Sequence, residues 1–102
     1  MGSRLELQSA LEEVLGSQNV YFQPPATIKM SYPAIVYSLD NDYHLQANNK
    51  LYYRKKRYAV TVIDKNPDTI IPDSLLIAFE YCSFDRHYKA DNLNHYVLTI
   101  YY

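Results

Sequence analysis

"RYAVTVID", residues 57–64, decides the architecture. β-Branched and aromatic residues dominate it, and such residues fit a pleated, packed surface. The run is apolar on both alternating faces, which places it at the centre of a sheet. Upstream, "YPAIVYSL" (32–39) predicts a strand from Ala34 to Leu39 with Pro33 at its entry, and "NVYFQPP" (19–25) a short strand from Val20 to Gln23. Pro24 and Pro25 stop that strand, since proline cannot donate to a ladder. Downstream, "NPD" (66–68) reads as a turn, and "PDSLLIAFE" (72–80) as a short helix. Pro72 would occupy its first turn, where a missing N–H is harmless. Leu75, Leu76 and Phe79 would form its buried stripe.

The two ends of the chain complete the plan. "SRLELQSALEEVLG" (3–16) predicts a helix over 3–15. Ser3 and Glu6 have the spacing of a capping box, Leu7, Leu11, Val14 and Leu15 repeat at helical spacing, and Gly16 suits a left-handed C-terminus. Residues 81–102 predict a hairpin: a strand near 81–89, the turn "ADNLN" (90–94), and a strand from His95 to Tyr102. Asp and Asn supply the turn chemistry. The order α-β-β-β-α-β-β describes one α+β domain over residues 1–102, a two-layer fold with a small mixed sheet and two helices on one face. Residues 40–53, "DNDYHLQANNKLYY", read as a long polar loop. Loops of that length are usually functional or disordered, and this one is expected to order on docking.

Composition narrows the function. Ten basic and 11 acidic residues give a net charge of -1, so nothing global draws the chain to nucleic acid or an anionic membrane. The one cysteine, Cys82, excludes an internal disulfide and a cysteine-based zinc site. It fits a reducing compartment and reads as a small buried apolar residue. No apolar run approaches the ~20 residues of a membrane span. No signal-peptide pattern is expected, and Glu6 breaks a myristoylation motif. Tyrosine is the outlier, 12 of 102 residues with no Trp and three Phe. Tyr pairs apolar area with a polar tip, and twelve exceed what one small core absorbs. Several are therefore expected on surfaces that a partner covers, the plainer alternative being rings that lie on exposed strands.

Candidate chemistry gathers in "SFDRHYKADNLNHYVLTIYY", residues 83–102. In an extended strand Asp85 and His87 share one face, about 7 Å apart, while Phe84 and Tyr88 share the other. His95 joins them only if the hairpin register allows it. A metal needs three or four converging ligands. A relay through Ser83 needs an oxyanion hole, and no glycine stands nearby to shape one. No catalytic residue, metal ligand or cofactor is therefore expected, and the polar face is either solvated or pressed on a neighbouring chain. "YYRKKRY" (52–58) interleaves aromatics and bases. That pattern serves nucleic acid through phosphate contacts and stacking, or protects a strand edge with charge. The slightly acidic balance favours edge protection. "IDKNPD" (63–68) lacks the alternating oxygen ligands of a calcium loop.

Together, "VYFQPP", "MSYPAIVYSL", "RYAVTVIDKNPD" and "YCSFDRHYKADNLNHYVLTIYY" resemble short proteins of the head–tail region of long-tailed phages and prophages of Gram-positive bacteria, the tail-terminator or tail-completion proteins. The resemblance spans about residues 20–102, and the last segment is its most specific part. It implies a small mixed sheet with helices on one face, a homo-oligomeric ring of six copies on the head-proximal end of the tail tube, and no enzymatic step. The implied partners are the tail tube protein and the head connector or stopper. DNA would pass through the lumen without sequence recognition. The implied location is the virion, after assembly in the host cytoplasm, with no membrane. An adaptor or stopper ring of the neck is the alternative, with residues 40–53 as a plug loop. A nucleic-acid module using Arg54–Arg57 stands third. The residues expected to touch neighbours are Tyr43, His44, Tyr52, Tyr53, Arg54, Lys55, Lys56 and Arg57 around the loop, and Asp85, Arg86, His87, His95, Tyr101 and Tyr102 in the hairpin.

Overall fold

The computed structural model of the protein describes residues 3–40 and 56–102. Among them run two helices and five strands: α1 (Arg4–Leu15), β1 (Val20–Phe22), β2 (Ala34–Leu39), β3 (Arg57–Asp64), α2 (Ile71–Ala78), β4 (Cys82–Ala90) and β5 (Leu93–Tyr101). They build one sheet in the order β1-β2-β3-β5-β4, with β3 at its centre, as its apolar run predicts. β1 lies parallel to β2, and every other pair is antiparallel. The fold is α+β with a mixed sheet.

Both helices pack on the same face. Paired residues share a face, so cross-strand rows can be read from the register. Ile35–Val62–Tyr96, Tyr37–Val60–Leu98 and Leu39–Tyr58–Ile100 lie under the helices. Leu7 and Leu11 of α1 and Leu75 of α2, with Phe79 just beyond it, close over them. The other face carries the rows Val36–Thr61–Val97 and Ser38–Ala59–Thr99. These residues are only half-buried, and no described element covers them. The second face of β3 is thus buried only at its end, where Ile63 pairs with Ala34, and half-buried at Ala59 and Thr61. Small and hydroxylated residues there leave a flat surface that an antiparallel pair can present to water.

The helix ends form as the sequence predicts. Ser3 Oγ accepts from the Glu6 N–H at 3.2 Å, and the Ser3 N–H donates to Glu6 Oε1 at 2.9 Å. That reciprocal pair satisfies two orphan donors and holds the exposed Glu6 carboxyl below its usual range, chiefly through the Ser3 backbone. Gly16 ends α1 at φ 82°, left-handed, where a side chain would be strained. In α2 the buried stripe is Pro72, Leu75 and Phe79, whereas Leu76 is 36% exposed. At 100° per residue, Leu76 rotates off the stripe toward the rim.

α1 is tied to the sheet by a polar network. Tyr37, 1% exposed, donates its hydroxyl to Gln8 Oε1, and Arg4 Nη1 donates to the same hydroxyl at 3.3 Å. Gln8 Nε2 in turn donates to the Val20 carbonyl at 3.0 Å, on the outer edge of β1. Tyr37→Phe should therefore lower stability by about 1–2 kcal/mol, because it leaves Gln8 Oε1 short of a donor. Urea unfolding with an unchanged midpoint would remove this network from the account.

The hairpin is tighter than its sequence reading. Asp91 and Asn92 have φ of 52° and 62°, and Ala90 pairs directly with Leu93. Two left-handed central residues make the mirror-image turn whose twist matches the flanking strands. β5 therefore begins at Leu93 rather than His95.

Candidate functional site

β4 is one of the two outer strands of the sheet, nine residues long and paired only with β5. Ser83 through Lys89 are all exposed. The strand is also irregular. Phe84 opposes Leu98, yet Arg86 opposes the very next residue, Val97, so Asp85 is an extra residue in a β-bulge. A bulge puts two residues of one strand opposite one of the other and breaks the alternation of side chains.

The bulge overturns the pairing of Asp85 with His87. Asp85 lies on the uncovered face, where its Oδ2 accepts from Thr99 Oγ1 at 2.6 Å. His87 lies on the helix-bearing face, opposite Tyr96, with ring centroids 4.7 Å apart and Nε2 3.0 Å from Asn94 Oδ1. On opposite faces, the two cannot act on one ligand, and a Ser83–His87–Asp85 relay is geometrically closed. Among the described residues, no group of three or more His, Cys, Asp or Glu is placed to hold a metal ion. Asn94 was not singled out by sequence. Its partnership with His87 depends on the turn length, which residue types alone do not set.

Phe84 and Tyr88 separate in the same way. Phe84 shares the helix-bearing face with Leu98 and Ile100, yet it is 46% exposed. It lines an open groove of about 330 Å³ between α2 and β4, with Pro67, Pro72, Leu76 and Tyr96. Tyr96 is anchored there by its hydroxyl, which donates to the Pro67 carbonyl at 3.0 Å. Tyr88 lies on the uncovered face and stacks flat on His95, at 4.7 Å and 10°. The Arg86 guanidinium sits 5.4 Å from the Tyr88 ring centroid on that face. Arg86, Tyr88 and His95 thus form one cation–aromatic stack.

A second group of predicted contact residues meets at the other end of the same strands. Lys56 and Tyr102 exchange backbone hydrogen bonds at 3.1 and 2.9 Å, and Arg57 pairs with Tyr101. Arg57 Nε lies 3.0 Å from Asp40 Oδ2, and the Asp40 N–H donates to the Arg57 carbonyl at 2.8 Å. That ion pair engages one cation of the basic run. Tyr43, His44, Tyr52, Tyr53, Arg54 and Lys55, with the polar loop after Asp40, lie outside the described residues.

Beside this end opens the larger groove, about 580 Å³. α1 contributes Ala10, Glu13 and Val14, and the chain after α2 contributes Phe79, Glu80 and Tyr81. Tyr101 and Tyr102 close it, with the Phe79 and Tyr102 rings edge to face at 6.0 Å. No sequence signal marks the groove, because its walls come from three separated segments. Cys82 is half-buried rather than fully buried. Burial, and then the Asp85 charge, push its thiol up to about 11, which keeps it protonated and unreactive at neutral pH.

Set beside known proteins, the chain matches no family model, no curated protein and no solved structure. Among the described residues, no helix is long and apolar enough to cross a membrane. What the site offers is surface: an open strand edge, an uncovered sheet face and two grooves.

Proposed function

We propose that the chain is a structural subunit of a phage head–tail junction, a tail terminator whose copies close into a ring on the tail tube. The observation that carries this reading is β4, exposed from Ser83 to Lys89 beside an uncovered sheet face. Such an edge presents unpaired backbone groups to a neighbouring chain, and the Arg86–Tyr88–His95 stack sets aromatic area beside it. The resemblance of residues 20–102 to tail-completion proteins supplies the context. Its partners would be further copies of itself, the tube protein and the head connector, with DNA crossing the lumen unread.

Purified protein incubated with tube protein tests this in the electron microscope. Rings, or tubes of arrested length, are expected. Monomer alone by light scattering, with and without tube protein, overturns the reading. Binding to filled heads but not to tubes moves the chain to the adaptor or stopper of the neck. Nucleic-acid binding that weakens steeply with salt would instead revive the basic run at Arg54–Arg57.

A further inference from the structure

We propose that the groove flanked by Glu13 and Glu80 receives the Arg86–Tyr88 stack of a second copy of this chain, head to tail. The inference rests on the ring reading and names the contact that would build it. The groove has apolar and aromatic walls, two carboxylates and no basic residue in its lining. Among the described residues, neither Glu13 nor Glu80 has an ion pair, and neither do Arg86 and Lys89 on β4. The nearby acid, Asp85, is held by Thr99.

Within one chain, Arg86 and Lys89 do not reach Glu80. From Glu80, Arg86 and Lys89 lie about 20 and 30 Å along extended backbone, at roughly 3.3 Å per residue. A neighbour can bring them together, since the acids sit at the start of β4 and the cations lie toward the hairpin turn. The two surfaces differ, so the contact is heterologous, the kind that closes into a ring when the rotation permits. Arg and Tyr are among the side chains enriched at the packed anchor points of interfaces. Here they are already stacked, so little rotamer freedom is lost on docking.

Two charge-reversed variants test the contact. One carries Glu13→Lys and Glu80→Lys, the other Arg86→Glu and Lys89→Glu. All four side chains are exposed, which leaves the core untouched. By light scattering, alone and with tube protein, each variant should be monomeric where the wild type forms rings. An equimolar mixture should recover the ring mass, because alternating copies pair every groove with a strand of opposite charge. Rings in either variant alone, or a mixture that stays monomeric, overturn the contact and leave the ring reading standing. A wild type that never assembles overturns the ring reading itself.

Discussion

Leu98→Ala should lower the unfolding free energy by about 3 kcal/mol, a large share of the roughly 5–15 kcal/mol of a small domain. Leu98 is 0% exposed, in the row Tyr37–Val60–Leu98 beneath the helices. Truncation removes its transfer free energy and leaves a cavity that a rigid sheet cannot collapse. The neighbouring Val97→Ala is the control. Val97 points to the uncovered face, is half-buried, and should lose about 1 kcal/mol or less. Paired urea titrations read both. Equal losses, or the reverse order, would mean that β5 is one residue out of register, because such a slip exchanges its two faces.

The second large effect is kinetic. Cys82 should react with an alkylating reagent on the order of a hundredfold more slowly in the native protein than in the unfolded chain at pH 8. Its thiol is pushed from 9.0 up to about 11, and only the thiolate attacks. The native rate should climb about tenfold per pH unit until pH approaches 11. Comparable native and unfolded rates would show that the thiol is neither shielded nor shifted. The linkage has a definite sign. Between pH 9 and 11 the unfolded chain loses this proton while the folded chain keeps it, so the contribution to stability is whole below 9 and lost as pH rises through 11.

The elements legible in the sequence are those whose signals are local. The Ser3–Glu6 box, Gly16, the two prolines after β1 and the apolar run of β3 each act within a few residues of themselves. Faces were less legible. Leu76 sits beside Leu75 in the chain yet a third of a helical turn away in space. The candidate site was least legible of all. Asp85 and His87 look like neighbours on one face until a single unpaired residue is admitted, and that residue is fixed by the Thr99 contact across the ladder. The groove at Glu13 and Glu80 exists only once α1, α2 and the end of β5 are packed.

The same unpaired residue bears on how chains of this fold can differ in length. Phe84 already faces Leu98 and Arg86 already faces Val97. A relative with no counterpart of Asp85 would keep both pairings and every face beyond them. Loss of a residue between Arg86 and Ala90 would instead turn part of the strand over, or force a new turn. β4 therefore has one position where a deletion is silent to the fold, and it lies midway along the edge exposed to neighbours.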